Sequence, residues 1–135
     1  MSPRGERFTQ STARELVKRE HIIIVCGRYE GVDQRFIDKC ADAEISIGDF
    51  VITGGEIAAQ AVVDATARLI PGVLADETAF ERESHWNGTI EHPQYTRPAE
   101  WLGMRAPDAL MNGNHAEIEK WKRENTGYFK VMECS

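Results

Sequence analysis

The sequence predicts an α/β domain built on a parallel sheet, followed by a small C-terminal helical region. Three observations predict it. Ile22-Ile23-Ile24-Val25 is an unbroken β-branched run, the composition of a strand covered on both faces. A second short apolar run, Ala43 to Ile47, reads as the next strand. Each run is followed by a glycine-bearing loop and then by a helical pattern: Cys26-Gly-Arg-Tyr-Glu-Gly31 leads to residues 33–39, and Gly48 to Gly55 leads to residues 57–69. Two such units in series place both loops on one edge of a parallel sheet, the edge where open α/β sheets bind ligands.

Taken in order, residues 1–10 read as loop. Ser11 to Arg19 reads as a short helix that Ser11 or Thr12 can cap, and Asp33 to Lys39 as one or two helical turns. The stretch Ile45 to Glu56 holds Gly48, Gly54 and Gly55, which suits a loop that brings its own N–H and C=O groups against a small molecule. The segment after it places Ile57, Ala61, Ala65 and Leu69 on one helical stripe, with Ala58 and Val62 alongside. Glu56 falls in the first turn, where a negative charge is favourable, and Pro71-Gly72 ends the helix. Residues 76–88 are polar without a sustained period and read as a linker or mobile loop. Two prolines make His92 to Pro98 extended. A last helix is expected from His115 to Glu124, capped by Asn114, with Ile118 and Trp121 as its apolar contacts.

A chain of 135 residues with 41% hydrophobic content is one domain's worth of sequence. No run approaches the roughly 18 apolar residues of a membrane span, and Met-Ser-Pro-Arg-Gly is not a signal peptide. The expectation is a soluble cytoplasmic protein with no membrane partner. Cys26, Cys40 and Cys134 are odd in number and scattered, which argues against a disulfide framework and against structural zinc. A net charge of −6 excludes whole-surface attraction to nucleic acid. RNA contact would have to use local basic clusters such as Arg4, Arg7, Arg14, Lys18 and Arg19, or Lys120, Lys122 and Arg123.

Five segments together carry a resemblance. Cys26-Gly-Arg-Tyr-Glu-Gly, Ser46-Ile-Gly-Asp-Phe-Val-Ile-Thr-Gly-Gly-Glu, Arg68-Leu-Ile-Pro-Gly-Val-Leu, His92-Pro-Gln-Tyr-Thr-Arg-Pro and Gly113-Asn-His-Ala-Glu-Ile resemble the successive signatures of bacterial tRNA (guanine-N1)-methyltransferases. Those enzymes are SPOUT RNA methyltransferases that use S-adenosylmethionine. The match runs in order from Ser2 to about Arg123. It implies a partial SPOUT trefoil-knot domain over 1–74, a linker over 75–88 and a mostly helical tRNA-binding region over 89–135. The knot would be one of the rare exceptions to unknotted chains. The resemblance further implies a homodimer, with S-adenosylmethionine held in a bent shape at its interface. The methyl acceptor would be N1 of the guanosine immediately 3′ of the anticodon in tRNA. Family activity is commonly linked to magnesium (Mg2+), whose site the sequence does not place.

Carried over by register, the cofactor residues are Gly27, Glu30, Ile47, Gly48, Asp49, Phe50, Val51 and Ile52, with Gly54 and Gly55 behind them. The family often has proline where Ala58 stands, and its catalytic aspartate falls on Glu83. Guanine N1 carries a proton at neutral pH, so it needs a base before it can attack a sulfonium methyl. The resemblance gives that role to Glu83; composition alone reads it as one charge of a solvated loop. Arg68 lies four residues after Asp64, and spacing alone makes that a surface ion pair of about 0.3 kcal/mol. The resemblance instead places its donors at guanine O6 or a phosphate. Glu30 is expected to read a guanine edge or meet the cofactor's cationic end, against a pairing with Arg28. No metal-ligand spacing is present, and Tyr95, Trp101 and Trp121 read as core or interface aromatics.

The resemblance begins in mid-domain, so the chain is also expected to lack part of the sheet and to associate or fold loosely on its own. That leaves a second reading, a cofactor-binding or dimerisation module without catalysis.

Overall fold

The computed structural model describes residues 1–76 and 79–128, and its first helix does not start where expected. Helix α1 is Gln10–Leu16, and its cap is Thr9 rather than Ser11 or Thr12. The Thr9 Oγ1 accepts the Thr12 N–H at 3.3 Å, and the Thr12 hydroxyl accepts the Thr9 N–H at 3.3 Å. Threonine thus fills the place that Glu or Gln usually holds in a reciprocal cap. Thr9→Ala should cost about 1 kcal/mol, enough to lower the midpoint of a circular-dichroism melt by roughly 4–8 °C in a unit of this size. An unchanged midpoint would show that the cap does not contribute.

Just before this helix, β1 (Glu6–Arg7) pairs in parallel with β2 (Ile45–Ser46), Glu6 opposite Ile45 and Arg7 opposite Ser46. The expected strand at 43–47 therefore forms over two residues, and its partner lies in the segment read as loop. The Phe8 N–H extends the pairing to the Ser46 carbonyl at 2.7 Å. This mixture of helices with a small parallel pair is the α/β class, on a smaller sheet than expected.

The run Ile22 to Val25 is a correction, because it joins no strand ladder. Ile23 is 78% exposed, and Ile22 and Val25 are also exposed. β-Branched composition reports a side-chain set that fits a sheet, whereas a strand also needs an edge to pair with. Among the described residues the only parallel pairing is that of β1 with β2.

Helix α2 is Gln34–Cys40, capped by the Asp33 carboxylate on the Arg35 N–H at 2.8 Å. Helix α3 is Glu56–Ala67 and begins at Gly55. Its buried residues are Ala58, Val62 and Thr66, continued by Leu69. Of the expected stripe Leu69 is buried, and so are Ala58 and Val62 alongside it, whereas Ile57 and Ala61 are exposed, so within the helix the buried face lies one residue on from Ile57, Ala61 and Ala65. One residue turns a helix by about 100°, and here the contact with α1 decides the turn. Ala13, fully buried on α1, and Ala58 are small enough for two backbones to approach closely. Burial of Val62 and Leu69 contributes about 1.5–3 kcal/mol each.

The chain divides into two compact units, Met1–Ala79 and Phe80–Ser135. A 3-10 turn, Ala79–Arg82, runs across the boundary. Among its described residues the second unit contains β3 (Thr89–Ile90), β4 (Glu100–Trp101), β5 (Met104–Arg105), α4 (Asp108–Met111), α5 (His115–Asn125) and β6 (Gly127–Tyr128). β3 pairs antiparallel with β6, and β4 with β5. This region therefore carries hairpin structure beside its helices. The turn between β4 and β5 has positive φ at both Leu102 and Gly103, the handedness that matches strand twist in a two-residue turn. Asn114 caps α5 as expected, its side chain accepting the Ala116 N–H at 3.1 Å. Trp121 meets the rings of His92 and Tyr95 edge-on at 5.8 and 5.9 Å. Cys26 and Cys40 are free thiols, while Cys134 lies outside the described residues.

Candidate functional site

The two glycine loops of the first unit are joined by backbone. Arg28 and Gly54 form an isolated antiparallel bridge, and the Gly55 N–H donates to the Gly27 carbonyl at 3.3 Å. At Gly55 the approach is close. A Cβ there would stand 3.1 Å from Cys26 Cα and 3.2 Å from Cys26 Cβ, so only glycine fits without pushing the loops apart. The first loop is itself a turn, closed by the Gly31 N–H on the Arg28 carbonyl at 3.0 Å. The second is pinned where it leaves β2. Buried Ser46 donates its hydroxyl to the Gly48 carbonyl at 3.1 Å and accepts the Gly48 N–H at 3.3 Å.

Below this joint lies a cavity of about 1180 Å³. Of the ten residues expected at the cofactor, Gly27, Glu30, Ile47, Gly48, Phe50, Val51, Ile52, Gly54 and Gly55 line it. Ile22 to Val25 lie on the same wall, so the run that forms no strand still faces this space. Asp49 is the exception. Its carboxylate takes the Arg7 guanidinium at 2.6 Å, with both side chains well exposed. Such a pair is worth at most about 1 kcal/mol, and it ties the loop to β1.

Glu30 is exposed, and the guanidinium of Arg28 goes instead to Glu56, with Nε donating to Oε1 at 2.9 Å. The Glu56 carboxyl is held below the usual carboxylate range, first by its own backbone N–H and then by Arg28. Arg28 and Glu56 are not expected at the site as a pair from sequence. They stand 28 residues apart, and no local pattern links them.

Arg68 caps the C-terminal end of α3 and is half-buried, its N–H on the Asp64 carbonyl at 3.2 Å. Glu83 belongs to the second unit, in a segment more ordered than a polar linker would be. Its N–H donates to the Phe80 carbonyl at 3.3 Å, and its own carbonyl accepts the Trp86 N–H at 3.5 Å. The Phe80 and Trp86 rings close over this turn with centroids 4.7 Å apart. Beyond it, the Ser84 N–H donates to Glu91 Oε1 at 3.2 Å and the Glu91 N–H to Ser84 Oγ at 3.0 Å. Glu83 is half-buried, a setting that composition does not indicate.

Several of the basic residues considered for RNA contact have acidic neighbours: Lys18 pairs with Glu15, Lys122 with Glu119 and Lys120 with Glu124. These exposed pairs are weak enough to exchange for phosphate. Among the described residues, no group of three His, Cys, Asp or Glu side chains is placed to hold a metal ion, and no helix is long and apolar enough to cross a membrane.

Comparison with known proteins covers nine-tenths or more of the chain. The tRNA (guanine-N(1)-)-methyltransferase of Ruminiclostridium cellulolyticum is 53% identical over 126 residues, 93% of this chain and 54% of that protein. The protein of the same name from Roseobacter denitrificans is 57% identical over 122 residues, 90% of this chain and 51% of the relative. That from Dehalococcoides mccartyi is 52% identical over 126 residues, 93% of this chain and 51% of the relative. The chain thus spans about half the length of the curated relatives it matches. The model of the family described as tRNA (Guanine-1)-methyltransferase TrmD matches residues 1–129, glycine joint, Arg68 and Glu83 included, and the chain belongs to that family.

Proposed function

We propose that the protein methylates N1 of the guanosine immediately 3′ of the anticodon in tRNA, with S-adenosylmethionine as the methyl donor. The observation that carries this reading is the hydrogen-bonded joint between the two glycine loops, in a chain of this family, above a cavity lined by Gly27, Gly54 and Gly55. The cavity wall fits the cofactor. Phe50 and Val51 offer exposed apolar surface, and the glycines of both loops bring backbone to the same space, a combination suited to a nucleoside joined to an amino acid. When bound, S-adenosylmethionine supplies a sulfonium methyl group for transfer.

The chain's own residues do the rest. Glu83 accepts the N1 proton of guanine, and Arg68 holds guanine O6 or a neighbouring phosphate with its fork of donors, stabilising negative charge as it develops. Glu30 reads a guanine edge or meets the cofactor's cationic end. Residues 1–74 belong to a trefoil-knot domain of the SPOUT kind that works as a homodimer in the cytoplasm, 75–88 form the linker that carries the base, and 89–135 contribute to tRNA binding. Magnesium dependence belongs to the same proposal, and chelation with EDTA tests it.

The test of the function is methyl transfer from labelled S-adenosylmethionine to two tRNA transcripts that differ only in guanosine or adenosine 3′ of the anticodon. Label should appear as N1-methylguanosine in the first transcript alone. Cofactor binding without transfer to either transcript would favour a binding module, and equal labelling of both would exclude the assigned target.

A further inference from the structure

We infer that Arg28 and Glu56 form a clasp that sets the spacing of the two glycine loops, which makes them positioning residues for the proposed cofactor site. The inference rests on the reading of that cavity as the place of S-adenosylmethionine.

Arg28 sits inside the first loop, and Glu56 is the first residue of α3, directly behind the second. Their side chains meet at 2.9 Å across the same gap that the Arg28–Gly54 bridge and the Gly55–Gly27 hydrogen bond span in backbone. Neither side chain lines the cavity, whereas Gly27, Gly54 and Gly55, their immediate neighbours, do. Any effect on a ligand must therefore pass through loop geometry.

Gly54 shows how closely the clasp is built. A Cβ at that position would run into the Glu56 carboxylate, so the absence of a side chain is what lets the carboxylate fold back over the loop. There it gathers the Arg28 donor and its own N–H at the positive end of a 12-residue helix. Arg28 and Glu56 side chains are 66% and 47% exposed, and an exposed pair adds little to global stability. What it can do is fix two short loops relative to each other, and a site made of backbone groups works only within about 0.5 Å of its productive geometry.

A double-mutant cycle on the whole chain tests this, using Arg28→Gln, Glu56→Gln and the pair together. Two readouts are taken: the dissociation constant for S-adenosylmethionine by calorimetry, and amide exchange at Gly55. Each single change should weaken binding roughly two- to five-fold and speed exchange at Gly55, with the melting midpoint nearly unchanged. The double variant should be no worse than the weaker single one, and Arg28→Lys should recover part of the loss. In the tRNA assay KM for the cofactor should rise and KM for tRNA should not. Additive effects in the cycle, or Gly55 exchange at the wild-type rate in both single variants, would overturn the clasp. Failure of the wild-type chain to bind S-adenosylmethionine would overturn the cofactor reading instead, and the exchange cycle would then decide the clasp by itself.

Discussion

Replacing Gly55 by valine should remove the proposed S-adenosylmethionine binding, while Glu20→Gln, a change at an exposed position away from the cavity, should leave it as it was. The reason is space. The distance of 3.1 Å between a Cβ at Gly55 and Cys26 Cα is already tighter than ordinary van der Waals contact. Valine adds two methyl groups to that Cβ, and the backbone of Cys26 cannot rotate away as a long side chain can. The loops must separate, and the hydrogen bond from Gly55 to Gly27 breaks first. Backbone groups positioned on both loops can no longer meet one ligand together once the loops separate, so calorimetry should show binding in the Glu20→Gln variant and none in the Gly55→Val variant. Equal dissociation constants would move the cofactor away from these loops.

Glu83→Gln should slow methyl transfer by about 10²- to 10⁴-fold in single-turnover assays, the range a positioned base contributes. Affinity for S-adenosylmethionine should stay nearly constant. The amide is close to the carboxylate in shape and keeps an acceptor oxygen, but it cannot take the N1 proton. A circular-dichroism melt of the Glu83→Gln variant that matches wild type would show that loss of rate reports chemistry and not a collapsed loop. Glu83→Asp should retain activity, since it preserves the carboxylate and shortens the reach by one methylene. A Glu83→Gln rate within a few-fold of wild type would remove Glu83 from the role of base.

Elements are legible in the sequence wherever a short-range rule governs. Asp33 and Asn114 mark helix starts because a capping side chain acts on an N–H two residues away. Thr9 is harder to read, because Ser11 and Thr12 compete for the same role within three residues. The choice among them depends on where the backbone leaves β1, and that follows from pairing with Ile45 and Ser46. The expected stripe on α3 has the right period, and its buried face centres on Ala58 and Val62, the residues alongside, and not on Ile57 and Ala61. Ile57 and Ala58 both continue a 3.6-residue repeat, and only packing against α1, where Ala13 is buried, selects Ala58, Val62 and Thr66 as the buried face.

By itself the sequence determined the family, the α/β class, and the two glycine loops with the helices that follow them. Each of these is carried by residues close together in the chain, or by motifs whose order is preserved along it. Only the tertiary structure decided that Ile22 to Val25 would line a cavity without joining a ladder, that Asp49 would turn to Arg7, and that Arg28 would leave Glu30 for Glu56. In each case the side chain had a plausible local partner and a distant one. A charge or an apolar surface carries no label for its partner, and the folded backbone chooses by setting which of them comes within reach.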